Sequence, residues 1–179
     1  MHIIDPIIVT ADAVDEAKTY LRIEQDEEDA VIAAFLSTAI RHCEAFVGQM
    51  LIRRNVVDRL PVSAAWQRLS VTPVQSITSV TGIPAEGASF VLPVAAYALD
   101  IDGNGDGWVR VTQPGAAGRV DVSVLAGVAA SWGGVPDPLR HGILRMVAHL
   151  HAYRDSASDT GPPAAIAALW RPWRRMVLS

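Results

Sequence analysis

Apolar and polar positions alternate with two different periods along this chain, and the change of period divides it. From Asp26 to Gly48 (DEEDAVIAAFLSTAIRHCEAFVG) apolar residues recur at Ile32, Phe35/Leu36, Ala39/Ile40, Cys43 and Phe46/Val47, the three- and four-residue steps of one helix face. Asp26 is placed to cap the first turn, and Glu27, Glu28 and Asp29 lie near the positive end of the helix dipole. Gly48 stands where a left-handed C-terminal cap is wanted. Ser37, Thr38, Arg41 and Glu44 fall on the opposite, water-facing side. An earlier short helix, ADAVDEAKTYLRI, follows Thr10 and carries a stripe of Val14, Ala17, Tyr20 and Leu21.

Beyond Gly48 the period falls to two. Residues 51–60 read as a strand, WQRLSV as another, and Val74 to Val80 alternates strictly. FVLPVAAYALDI, WVRVTQP and RVDVSVLAGV follow, separated by Gly-, Asn- and Asp-rich turns, with Val120, Val122 and Val124 sharing a face. Helical spacing returns at Asp137-Pro138, an N-cap and N1 pair, with Leu139, Ile143, Met146/Val147, Leu150 and Tyr153 on one side. DSASDTGPP reads as a flexible polar link, and AAIAALW as a last short helix. The predicted class is α+β: a helical bundle formed by N- and C-terminal helices with an inserted antiparallel β region. The expected organisation is one domain over 1–179, with helices at about 11–48 and 137–171, the β insertion at about 50–130 and a C-terminal tail at 169–179.

Composition narrows the class without fixing a chemistry. Half of the 179 residues are hydrophobic, enough for a sizeable core. No apolar run reaches the roughly 18–20 residues of a membrane span, and the start lacks the basic n-region of a signal peptide. The single cysteine, Cys43, lies on the apolar helix face and is expected to be a small buried hydrophobe. The net charge of −4 hides a division. Residues 1–30 hold nine acids against Lys18 and Arg22, and residues 140–179 hold six arginines against Asp155 and Asp159. Solvated faces are the default account of this, and two surfaces of a head-to-tail contact between identical subunits are the alternative.

Catalytic signatures are missing: there is no nucleophile elbow, phosphate loop, CxxC pair or HExxH, so no catalytic residue and no cofactor is expected. His149 and His151 point some 200° apart on a helix, and neither His141 nor His42 completes a ligand set. The loop of Asp100, Asp102, Asn104 and Asp106 has the oxygen spacing of an EF-hand, giving an alternative function as a small calcium- or ligand-binding module. Val111 occupies the position of the bidentate Glu, and the flanks read as strands, so a hairpin turn explains the same residues. Leu169, Trp170, Arg171, Pro172, Trp173, Arg174 and Arg175 concentrate the residue types of interface hot spots. They suit docking into another protein, closure of the chain's own core by Trp170, or nucleic-acid stacking.

In its order of segments the chain resembles the head–tail connector, or adaptor, proteins of tailed bacteriophages and prophage-derived particles such as gene transfer agents. The resemblance runs through Asp15–Ile23, the helix ending Cys43–Gly48, Thr72–Val80, Tyr97–Asp100, Ala126-Gly127, Val135-Pro136 with the helix from Leu139, and Ala168–Arg174. It implies a structural virion protein of the head–tail neck, assembled in the host cytoplasm, forming a ring of usually twelve subunits under the portal. Such a ring extends the DNA channel and links the capsid to a stopper or tail-terminator protein. Packaged DNA would pass without sequence-specific binding, and no membrane is involved. The same resemblance gives the segment 169–175 the role of reaching the portal.

Overall fold

The computed structural model of the protein describes residues 2–153 and 162–175. Most of the expected polar link and the last four residues of the tail lie outside the described residues. The chain packs as two compact units. Residues through Pro6 join Arg53–Val128 in a β unit, and Ile7–Ile52 join the described residues from Ala129 onward in a helical unit.

The helical unit holds α1 (Ala11–Leu21), α2 (Asp29–Val47), α3 (Asp137–Ala152) and α4 (Ala164–Trp170). The periodicity of α2 is realised in its packing. Ile32, Leu36, Ala39, Ile40, Cys43 and Val47 are buried against Leu139, Ile143, Met146 and Val147 of α3, while Phe35 and Phe46 are half-buried at the margin. By length and composition α2 could cross a bilayer, yet this apolar face is part of a protein core. Burial pushes the Cys43 thiol well above its ordinary pKa, as expected of a core residue.

Several local expectations shift. Asp26 does not cap α2, which begins three residues later at Asp29. Its carboxylate instead accepts a 2.6 Å hydrogen bond from Lys18 Nζ, which also reaches Asp29 at 2.8 Å. A charged partner across the α1–α2 corner outcompetes neutral backbone N–H groups. Gly48 does close α2 in the left-handed conformation, at φ 69°, with its N–H donating to the Glu44 carbonyl. Glu44 is not simply solvated, because Oε1 accepts a 2.8 Å hydrogen bond from the Leu51 N–H as the chain turns away. The buried stripe of α1 is Ala13, Val14, Ala17 and the stem of Lys18, whereas Tyr20 is exposed and meets His141 edge-on. Tyr153 falls just past the end of α3 and lies against His149.

The β unit contains β1 (His2–Ile4), β2 (Arg54–Pro61), β3 (Gln67–Arg68), β4 (Val74–Pro84), β5 (Phe90–Val91), β6 (Tyr97–Ile101), β7 (Gly107–Val111) and β8 (Ala117–Ala126). They form two antiparallel sheets, one in the order β1-β2-β8-β4-β5 and one in the order β3-β7-β6. The central β8 carries the expected alternation: Val120, Val122, Val124 and Ala126 are buried, facing the same side as Val56 of β2 and Val80 of β4. The stretch 90–101 is not one strand. Pro93, which has no N–H to give a ladder, separates β5 from a 3₁₀ turn at Val94–Ala96 and then β6.

The Lys18 cluster gives a pH signature. Its hydrogen bond to Lys18 holds the Asp26 carboxyl below the ordinary carboxylate range. That stabilisation is present above about pH 3.9, the unfolded value, and is lost as pH falls through the depressed folded one. Asp26→Asn is therefore expected to melt at a lower temperature than the native protein at pH 7, the gap closing on acidification below about pH 4, as calorimetric scans across pH would record. A gap independent of pH would argue against the ion pair as its source.

Candidate assembly surface

The C-terminal segment folds back onto its own helical unit. Trp170, the last residue of α4, is wholly buried, its ring tilted against Phe46 with centroids 5.8 Å apart. Its indole Nε1–H donates to the Leu139 carbonyl at 3.3 Å. The indole lies directly against Gly142 of α3: a Cβ there would collide with Nε1 and come within 2.8 Å of Cδ1. Gly142 belongs to the same stripe as Leu139, Ile143 and Met146, so its position in the sequence marked a gap in that face. Which side chain fills that gap is not written in the stripe itself.

Past Trp170 the chain makes one 3₁₀ turn, Arg171–Trp173, and runs along the end of α2. Gln49 Nε2 donates to the Trp173 carbonyl at 2.7 Å, and the Arg175 N–H donates to the Val47 carbonyl at 2.9 Å. The second contact satisfies one of the carbonyls that a helix end leaves without a partner. The Arg174 guanidinium lies 5.8 Å from the Phe46 ring centre. The seven sequence-predicted residues thus divide. Trp170 is core and Leu169 half-buried, whereas Arg171, Pro172, Trp173 and Arg174 are exposed and Arg175 is partly so. Among the described residues, no carboxylate pairs with Arg171 or Arg174.

Part of the acidic N-terminal segment has partners inside the unit. Glu16 accepts from the Trp132 indole N–H at 2.6 Å and pairs with Arg140 at 3.3 Å, and Glu28 lies 3.4 Å from His151. Asp12, Asp15, Glu24 and Glu27 stay exposed.

In the Asp100–Asp106 loop the carboxylates serve the β6–β7 hairpin. Asp102 Oδ1 accepts from the N–H groups of Asn104 and Asp106 at 2.8 and 3.0 Å, an Asx turn, and Oδ2 accepts from Trp108 Nε1 at 3.1 Å. Asp106 is buried, with Oδ1 accepting from Arg68 at 2.9 Å. Gly105 adopts the positive φ, 80°, that the turn requires. Asp100 and Asn104 are exposed, and among the described residues no group of three His, Cys, Asp or Glu side chains is arranged to hold a metal ion.

Two substitutions test these placements. Gly142→Ala raises intrinsic helix propensity by about 1 kcal/mol but overpacks the indole, at a typical cost of about 1–3 kcal/mol. A lowered urea midpoint is expected, and a raised one would refute the close packing. Asp102→Ala strands the hairpin N–H groups and should lower stability by about 1–3 kcal/mol. The native protein's melting temperature is expected not to move in millimolar calcium.

Against known proteins, residues 11–84 match the model of the family described as phage gp6-like head–tail connector protein. No curated protein matches the sequence significantly. Among solved structures, a chain in the neck of an empty gene transfer agent particle computed with C6 symmetry superposes with a TM-score of 0.77 at 23% identity. The match covers 99% of this chain and 97% of that one. A chain from the virion of a native gene transfer agent particle gives 0.73 at 22% identity, and one from a native neck computed with C12 symmetry gives 0.69 at 21%, with the same coverage. The chain therefore resembles phage head–tail connectors in the sequence of residues 11–84, and over nearly its whole length it has the fold of a gene transfer agent neck protein.

Proposed function

We propose that this protein is a structural head–tail connector, without catalytic activity, that assembles as a ring of identical subunits beneath a portal in a virion neck. The observation that carries the reading is the agreement of the connector-family match with a fold shared from end to end with neck chains. Twelve copies suit the C12 symmetry of one such neck. The ring extends the DNA channel and links the capsid to a stopper or tail-terminator protein, and it assembles in the host cytoplasm. Packaged DNA passes without sequence-specific contact. A wall that is not strongly basic serves this, because each neutralised phosphate adds salt-dependent, sequence-independent affinity.

The portal contact is assigned to Arg171, Pro172, Trp173, Arg174 and Arg175. Leu169 and Trp170 act as the anchor that holds this segment to the helical unit. Exposed tryptophan and arginine are the side chains that contribute most at protein interfaces, and Arg171 and Arg174 remain available for carboxylates on a partner. The exposed acids Asp12, Asp15, Glu24 and Glu27 provide a face for a neighbouring copy.

Native mass spectrometry of the protein alone, and then mixed with the portal of the same particle, tests the reading. A single chain alone that joins the portal in many copies is the expected result, and indifference to the portal would overturn it. The triple variant Arg171→Glu, Trp173→Ala, Arg174→Glu should lose attachment while keeping the native melting temperature to within a few degrees, since exposed substitutions generally cost less than about 0.5 kcal/mol. Attachment at native strength by that variant would remove the tail assignment. Removing 169–179 instead would delete a core residue and confound binding with folding.

A further inference from the structure

Strand β1 differs from every other strand described: all three of its residues are exposed, with Ile3 at 60% and Ile4 at 37%. It is attached to the edge of β2 through three residue pairs, His2↔Asp58, Ile3↔Val57 and Ile4↔Val56. Just beyond, the Asp5 N–H donates to the Asn55 carbonyl at 3.0 Å and Asn55 Nδ2 donates to Asp5 Oδ2 at 3.1 Å. Pro6 then ends the ladder, and Ile8 is 75% exposed. Short edge pairings that bury little apolar surface sit at the low end of local stability and open readily. Paired with its own β2, Ile3 keeps most of its apolar side chain in water.

Its complement is fully specified on the same chain. The β2 edge that receives β1 exists identically on every copy, so a neighbour offers the same register and the same Asp5–Asn55 exchange of hydrogen bonds. We propose that residues 2–6 are an exchangeable arm: within an assembly of identical chains, β1 leaves its own β2 and pairs with β2 of an adjacent copy. This rests on the ring reading. Exchange conserves the main-chain bonds, and the seam between copies removes Ile3 and Ile4 from water, which tips the balance only when a second chain is present. Five extended residues reach about 17 Å at 3.3–3.6 Å each, enough to cross between touching subunits. Pro6 fixes φ and lacks an N–H, so the arm departs extended and its pairing stops at a defined point.

Ile3 and Val57 are direct antiparallel partners, a pairing whose Cα separation of about 4.5–5.5 Å falls within disulfide range. The native Cys43 is fully buried with its thiol pKa raised, and does not compete. Rings assembled on the portal from equal amounts of Ile3→Cys and Val57→Cys chains, then oxidised, should yield covalent pairs of chains on a non-reducing gel. Neither variant alone should. In the double variant Ile3→Cys/Val57→Cys, oxidation before mixing fastens the arm to its own chain, so loss of ring assembly is expected, with recovery on reduction. Rings that form but give no mixed pair, or an oxidised double variant that assembles fully, would overturn the exchange and leave the ring reading intact. Failure of the native protein to assemble on the portal would overturn both.

Discussion

The contact on which the helical unit depends is the indole of Trp170 against the bare backbone of Gly142. α4 is only seven residues long, too short to persist by its own hydrogen bonds. It is held because one large ring fills a socket between α2 and α3 and gives its N–H to the Leu139 carbonyl. Truncating a buried tryptophan of this kind typically costs about 3–5 kcal/mol, a large share of the stability of an ordinary domain. The socket exists only because residue 142 has no side chain.

The position of the terminal arginines follows from that anchor. Once Trp170 is fixed, the next five residues have little choice of path: they pass the end of α2, where the Val47 carbonyl needs a donor and Gln49 needs an acceptor. Backbone groups absorb these demands, so the side chains of Arg171, Trp173 and Arg174 are left outward. The core thus presents an arginine- and tryptophan-bearing turn on a rigid base, where otherwise it would be a loose tail. Side chains held in place beforehand lower the ordering cost of any contact they make.

The β unit is organised differently. Its central strand β8 pairs on both sides and buries a continuous valine face, while the strands at the two edges of its sheet, β1 and β5, are only three and two residues long. Short edge strands are a common defence against uncontrolled pairing between chains. The polar bonds between Asp5 and Asn55 at the end of β1 define a single register for that edge. The Asp102-centred hairpin shows the same economy: an acidic, glycine-rich turn folds its carboxylates into its own backbone and a tryptophan N–H, with Arg68 across the sheet neutralising Asp106.

Period and punctuation made the architecture legible. The 3.6-residue spacing of α2 and α3, the alternation of β8 and the glycine cap at Gly48 are local properties, written in adjacent residues and obeyed in the fold. Gly142 was legible too, as a gap in an apolar stripe, but its significance required knowing which side chain would arrive from 28 residues further on. Asp26, Glu44 and Tyr20 departed from their local expectations for the same reason. Each had a reasonable role within its own helix, and each was claimed or released by a group outside that helix: Lys18, the Leu51 amide, and the packing of α1 onto its neighbours. The residue types of the C-terminal segment marked it as chemistry for an interface. The division of that segment into a buried anchor and an exposed turn was decided by tertiary packing, because a tryptophan has the same composition and spacing whether its ring faces water or a glycine.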